Sequence, residues 1–151
     1  MRPVSAILLG LALLGPGFAR AARIYYTDQP NGNPGSVRSV GLDGSNPGTV
    51  ITYPGAPSLR GIGWHRETGR IFVLDNSSKV IRSLFPNGTG EQTVTSVSIG
   101  LIGSDLEVDD STGRIYWAES SSSSAVNGLI RSCNLDGTDV TTAVTTAGVP
   151  W

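Results

Sequence analysis

The densest chemistry in the sequence is acidic: Asp105, Glu107, Asp109 and Asp110 stand within one short stretch. Carboxylate oxygens are the ligands a hard divalent cation takes, so a bound cation is one reading of this cluster. The other is a solvated face, with Asp109 and Asp110 in a hairpin corner where their side chains satisfy turn amides. His65 is the only histidine. Without clustered Cys, Asp or Glu around it, it does not make a transition-metal site. With no Gly-x-Ser-x-Gly elbow either, a nucleophile–base–acid arrangement cannot be assembled. Cys133 is the only cysteine, so no internal disulfide can form, and its place in the repeat, where the other copies have Val40 and Leu84, suggests a buried, inert thiol. Trp64 alternates with Ile62 and reads as core. The glycine-rich stretch Asn31-Gly32-Asn33-Pro34-Gly35 has no lysine and no following helix, so it reads as a loop and not a phosphate cradle.

These residues lie on a repeating frame. A short strand opened by arginine occurs three times: Arg23-Ile24-Tyr25-Tyr26-Thr27-Asp28, Arg70-Ile71-Phe72-Val73-Leu74-Asp75 and Arg114-Ile115-Tyr116-Trp117-Ala118-Glu119. A second signature follows each copy: Val37-Arg38-Ser39 leading to Leu42-Asp43-Gly44, Ile81-Arg82-Ser83 to Pro86-Asn87-Gly88, and Ile130-Arg131-Ser132 to Leu135-Asp136-Gly137. The first signature recurs after 47 and 44 residues and the second after 44 and 49, a period that fits one four-stranded unit. Thr68-Gly69 and Thr112-Gly113 close a hairpin before copies two and three, and the Asp-Gly and Asn-Gly pairs close the next corner. Thr/Val-rich runs such as 93–97 and 140–144 supply outer strands. The interval that holds the run Ser120 to Ser124, all serine, reads as containing a loop insertion. No segment carries a 3.6-residue apolar period, which excludes helical solenoids. The expected fold class is therefore all-β: four-stranded antiparallel meanders stacked as β-propeller blades, with copies at about 23–58, 59–102 and 103–147.

Residues 1–21 read as a cleavable secretory signal. Arg2 supplies positive charge, an apolar run extends from Ala6 to Leu14, and Ala19-Arg20-Ala21 fits the small-x-small cleavage pattern. The run falls short of the roughly 18 residues that span a bilayer, although an uncleaved anchor is the alternative. The remainder has no second apolar run, so the protein is expected to be secreted, periplasmic or on the cell surface, with no membrane contact after cleavage. A net charge of −1 leaves no electrostatic footprint for nucleic acid. Asn76-Ser77-Ser78 and Asn87-Gly88-Thr89 are N-glycosylation sequons if the host is eukaryotic.

The strand form Arg-Ile-Tyr-Trp-x-Asp/Glu, followed by Ile-x-x-x-x-Leu-Asp-Gly, resembles the YWTD repeat, also called the LDL-receptor class B repeat. Copy three is the nearest match, copy one keeps Tyr25-Tyr26-Thr27-Asp28, and copy two departs with Phe72-Val73-Leu74-Asp75. The resemblance covers about residues 23–151 and implies a six-bladed propeller used as an extracellular binding or spacer module. It implies structural repeat positions at Tyr26, Asp28, Asp43, Gly69, Asp75, Gly113, Trp117, Glu119, Asp136 and Gly137, with Asp28, Asp75 and Glu119 tying neighbouring blades together. Glu107 would then stand on an inner strand lining the central channel, in the place of Gly63. Trp151 would enter the next blade's loop, where partners bind.

Six such blades need about 260 residues. This sequence supplies about three, and the first copy starts at its second strand, so its innermost strand must come from elsewhere. Three accounts stay open: part of a longer protein, a homodimer of two half-rings, or an incomplete chain. The leading functional expectation is a noncatalytic module that recognises a protein or glycan through propeller loops and needs no cofactor. The alternative is half of a propeller hydrolase or lactonase with a divalent metal in the channel, and a ligand-free spacer is the third.

Overall fold

A computed structural model of the chain describes residues 7–10, 22–29, 34–55, 57–98, 102–120 and 128–146. Trp151 and most of the serine run lie outside the described residues, as does most of the segment read as a signal. Twelve strands are described: β1 (Ile7–Gly10), β2 (Arg23–Asp28), β3 (Gly35–Gly41), β4 (Gly48–Tyr53), β5 (Leu59–His65), β6 (Arg70–Asp75), β7 (Val80–Leu84), β8 (Gln92–Ser96), β9 (Ile102–Asp109), β10 (Arg114–Ser120), β11 (Gly128–Asn134) and β12 (Thr141–Thr146). They form three four-stranded antiparallel sheets in sequence order, β1–β4, β5–β8 and β9–β12. These are three β-propeller blades, and their all-β class is the one the repeat predicts.

One expectation is corrected. The innermost strand of blade 1 is not left to another source: Ile7–Gly10 pairs antiparallel with β2, Ile7 opposite Tyr26 and Gly10 opposite Arg23. A short apolar run is equally suited to a leader core and to a strand buried between neighbours, and periodicity alone does not separate the two.

Strand alternation explains the stacking. Successive side chains of β6 point to opposite faces, and both faces are covered. Ile71 and Val73 join Val37, Tyr53, Leu59, Ile62 and Leu84 in the core between blades 1 and 2. Phe72 and Leu74 join Ile81, Val97, Leu106, Val108, Ile115, Trp117 and Cys133 between blades 2 and 3. Trp117 is among the largest fully buried side chains. Each blade thus has a leading face toward the blade before it and a trailing face toward the blade after it. At the inner edge, a Cβ on Gly61 or Gly63 would collide with Leu106 or Val108 of β9, so the absence of a side chain there sets how closely the inner strands approach.

At the outer edge the contact is between main chains. Each outer strand carries a β-bulge, at Val50, Val94 and Ala143, where the register with the third strand shifts. The Asn87-Gly88 corner of blade 2 sits against the Val50 carbonyl of blade 1, and the Asp136-Gly137 corner of blade 3 against the Val94 carbonyl of blade 2. A Cβ on either glycine would strike that oxygen. Both glycines hold positive φ, +82° and +85°.

Gly137→Ala is therefore expected to destabilise the chain more than Gly69→Ala does. Both residues have positive φ, which costs an alanine about 1–2 kcal/mol, but Gly69 has open space around it. Urea denaturation of the two variants reads the difference, and equal losses would mean that the bulge–glycine contact does not hold the blades together.

Candidate functional site

Two ends of the stack differ in construction. One end holds the C-terminal ends of β2, β6 and β10 and the described residues of the connections that leave blades 1 and 2. An acid closes the second strand of each blade at this end. In blade 2, Asp75 is almost fully buried, accepts hydrogen bonds from the Ser77 and Ser78 N–H groups at 3.0 and 3.2 Å, and lies 3.6 Å from Arg82. In blade 3, fully buried Glu119 accepts from the Trp117 indole at 2.7 Å and from the Ser98 N–H at 3.1 Å. Arg131 stands 3.9 Å from Glu119 and donates to the Ser98 hydroxyl at 3.0 Å. Ser98 lies in the connection that leaves blade 2, so this carboxylate bonds directly across a blade junction. In blade 1, Asp28 accepts from Arg38 at 3.0 Å, but both side chains are 37 % exposed.

The arginine of the second signature completes each arrangement. Arg82 also contacts Glu91 at 3.2 Å and lies over the Tyr53 ring of blade 1, 5.5 Å from its centroid. Tyr53 at the end of β4 and Pro54 and Pro57 of the first connection, with Asp75, Ser77, Ser78, Arg82 and Glu91, line a cavity of about 420 Å³. The Tyr53 hydroxyl is buried without a hydrogen-bond partner. Burial, then the Glu91 charge, push it well above the usual phenol range. The cavity has an apolar wall of Tyr and Pro opposite a charged floor, the composition of a recognition site. Asn76 bridges the next junction: its Oδ1 accepts from the Gly103 N–H of blade 3 and from Lys79, each at 2.9 Å.

At the opposite end, His65 is buried and its Nδ1 accepts the Thr68 N–H at 3.2 Å, with the Thr68 hydroxyl 2.9 Å away. Its Nε2 faces Asp110 of blade 3 at 3.9 Å, and Asp110 also accepts the Arg66 N–H at 2.9 Å. These groups, with Glu67 and Ser111, line a groove of about 360 Å³. Asp109 accepts from the Ser111 N–H and hydroxyl and from the Thr112 hydroxyl, which holds its carboxyl down at about 2. Asp43 and Asp136 cap their corners in the same way and are also lowered, by Ser45 and Thr138 respectively. Asn87 accepts from both the Thr89 N–H and its hydroxyl.

The acidic cluster is divided rather than convergent. Glu107 pairs with Tyr116 and Asp105 with Ala118, so both lie on the trailing face of blade 3. Burial first, then Asp105, raise the Glu107 carboxyl. Asp109 and Asp110 serve the corner end. Among the described residues no group of three or more His, Cys, Asp or Glu could hold a metal ion. Tyr26 lies on the leading face of blade 1, opposite Arg38.

Sequence reasoning singled out the acids but not Arg38, Arg82, Arg131, Tyr53 or Ser98. The signal was present in the arginine shared by all three second signatures. The role of the strand-opening arginines is equally plain in the structure. Arg23, Arg70 and Arg114 each bond the serine of the third strand, Ser39, Ser83 and Ser132, and a carbonyl of the outer corner, at Asn46, Gly90 and Asp139.

The fold and these junctions define a β-propeller protein. No family model matches the chain, and no curated protein does. Solved structures do. They include the nidogen/laminin complex (24% identity, 87% of this chain, 47% of that chain, TM-score 0.70). A gluconolactonase from Xanthomonas campestris matches at 19% identity over 87% of this chain and 46% of that one, with TM-score 0.64. TolB from Acinetobacter baumannii matches at 17% identity over 81% of this chain and 30% of that one, with TM-score 0.63. The chain thus spans about half or less of the length of each, and the likeness is one of fold.

Two outcomes follow from the titratable groups. Asp109 has a folded-state value below its ordinary one, so the stability it contributes is present above about pH 4 and is lost as pH falls toward about 2. Asp109→Ala should therefore flatten the loss of denaturation midpoint between these limits, and a parallel decline in both proteins would contradict it. Burial pushes the Cys133 thiol up to about 11. Its alkylation at pH 8 should be slow in the folded protein and rapid in urea.

Proposed function

We propose that the chain is part of a noncatalytic, extracellular YWTD-type propeller that recognises a protein or glycan through the loop end of its blades. The observation that carries this reading is the cavity between Tyr53, Pro54 and Pro57 on one side and Asp75, Arg82 and Glu91 on the other. Its floor is held by the carboxylate–arginine pairing that also supports the blade junction, so the site is rigid before a partner arrives, which limits the ordering cost of binding. The nidogen neighbour, solved in complex with laminin, is consistent with a binding role for this architecture. The extracellular location rests on the secretory reading of residues 1–21, the alternative to their use as the inner strand of blade 1.

The second reading, a propeller hydrolase, is favoured by the gluconolactonase neighbours and by the raised Glu107 carboxyl beside Asp105. It requires further ligands beyond those two carboxylates.

The test uses arrays of immobilised extracellular proteins and glycans. Glu91→Gln alters the cavity rim at a partly exposed residue, whereas Asp75 and Arg82 also support the junction. A ligand bound by the wild type and weakened about tenfold or more by Glu91→Gln, with an unchanged melting temperature, supports recognition at this end. Binding indifferent to Glu91→Gln would move the site elsewhere. Stoichiometric Ca²⁺ binding lost in Glu107→Ala, together with lactone hydrolysis, would replace the binding-module reading with the enzymatic one.

A further inference from the structure

Blade 2 carries a reactive pair that the other blades lack. At the outer corner blade 1 reads Asp43-Gly44 and blade 3 Asp136-Gly137, but blade 2 reads Asn87-Gly88. The three side chains hold their corners alike: each accepts the N–H of the residue two positions on, from Ser45, Thr138 and Thr89 respectively. Asn87 differs in its chemistry. A side-chain amide has an electrophilic carbon and a nitrogen that can leave, which makes asparagine a chemically labile residue. The residue after it is a glycine, so no side chain shields the neighbouring main-chain nitrogen. Asn87 is also exposed to water.

In the closed corner both reacting groups are held by other partners. The Gly88 N–H donates to the Phe85 carbonyl at 2.9 Å, and the Phe85 N–H donates to the Thr89 carbonyl at 2.9 Å. Asn87 Oδ1 accepts the Thr89 N–H at 3.1 Å and the Thr89 hydroxyl at 2.7 Å. Arg70 donates to the Gly90 carbonyl, and its guanidinium lies over the Phe85 ring, 4.5 Å from the centroid. Gly88 itself rests against the Val50 carbonyl of blade 1. The Gly88 nitrogen becomes a free nucleophile only when the corner gives up these bonds.

We propose that Asn87-Gly88 is a self-modification site, deamidating by attack of the Gly88 nitrogen on the Asn87 side chain, with the opening of this corner as the gate. The Gly88 nitrogen bonds to Asn87 Cγ, the Cγ–Nδ2 bond breaks, and ammonia leaves with the proton that the Gly88 nitrogen gives up. The product is a five-membered succinimide. Water then opens the ring at either carbonyl. Cleavage between Cγ and the Gly88 nitrogen leaves aspartate at position 87. Cleavage between the main-chain carbonyl and that nitrogen leaves isoaspartate, whose main chain runs through Cγ and is one carbon longer. Aspartate reproduces the corners of blades 1 and 3, where Asp43 and Asp136 cap the same turn. Isoaspartate displaces Gly88 from the Val50 carbonyl, because the added carbon lies between the cap and the glycine. One product is therefore silent in the fold, and the other loosens the junction between blades 1 and 2. The proposal does not rest on the recognition role of the Tyr53 cavity.

The experiment incubates the protein at mildly alkaline pH, folded and in urea, and follows residue 87 by peptide mass mapping with the aspartyl and isoaspartyl peptides separated. Conversion is expected at Asn87 in both states, about tenfold or more slower in the folded protein, since the corner must open first. Thr89→Ala removes the hydroxyl from the cap and is expected to raise the folded rate roughly fivefold, the worth of one hydrogen bond, with the rate in urea unchanged. Asn87→Asp is expected to melt with the wild type, and the isoaspartyl protein, isolated by chromatography, to melt lower. Equal rates in the folded and unfolded protein would overturn the proposal, as would a folded rate that Thr89→Ala leaves unchanged. An isoaspartyl form as stable as the wild type would remove the link to the blade junction. A glycan on Asn87 in the protein from its source would also overturn it, because the amide nitrogen is then bonded to sugar and does not leave as ammonia.

Discussion

Neither face of a four-stranded sheet can be removed from water by the sheet itself, and this chain is organised around that constraint. The middle blade shows the solution in full. β6 is buried on both sides because a neighbour stands on each, and its residues alternate between two separate cores. An antiparallel sheet with one solvated face would show apolar and polar residues in alternation. β6 instead reads Ile-Phe-Val-Leu without interruption, the pattern of a strand enclosed on both faces. The outer blades relax this requirement in step with their exposure: Tyr25, Tyr26 and Thr27 in β2, and Tyr116 in β10, carry polar atoms where β6 has none.

Buried charge in the junctions is held by hydrogen bonds to one carboxylate oxygen and by a nearby arginine. Glu119 is fully enclosed, yet one of its oxygens accepts an indole N–H and a backbone N–H, and an arginine lies near the other. Removing a single partner from such a group leaves an uncompensated buried charge, which is costlier than losing an exposed ion pair. The same carboxylate–arginine unit that fixes the junction between blades 1 and 2 forms the floor of the Tyr53 cavity. Stability and recognition therefore draw on one set of atoms there, and the loop end is rigid because the blades are.

The repeat was legible in the sequence because each blade must solve the same packing problem with the same turn chemistry. Arginine-opened strands and Asp-Gly or Asn-Gly corners mark the boundaries almost to the residue. The innermost strand of blade 1 was not legible, since Ile7–Gly10 carries no repeat signature and its apolar run suits two fates. The face of the sheet that Glu107 takes was not legible either. An inner-strand position alone does not say which neighbouring sheet a residue faces, and only its register with Tyr116 decides that. Ser98 lies in a connection and Tyr53 at the last position of β4 beside one, where length and sequence vary between copies. The arginines that reach them do repeat, and reading those as positions needing a partner would have pointed to the connections.

The contact between a corner glycine and a bulge carbonyl is lopsided in what it asks of the two sides. The glycine side depends on the lack of a side chain, so its identity is fixed. The bulge side offers a main-chain oxygen, which nearly every residue possesses, and the three bulges accordingly carry Val, Val and Ala. Sequence drift in outer strands can therefore proceed without disturbing how blades mate, while the corners hold still. A lineage of such proteins could diversify the rim of its blades freely and yet keep every blade interchangeable with its neighbours.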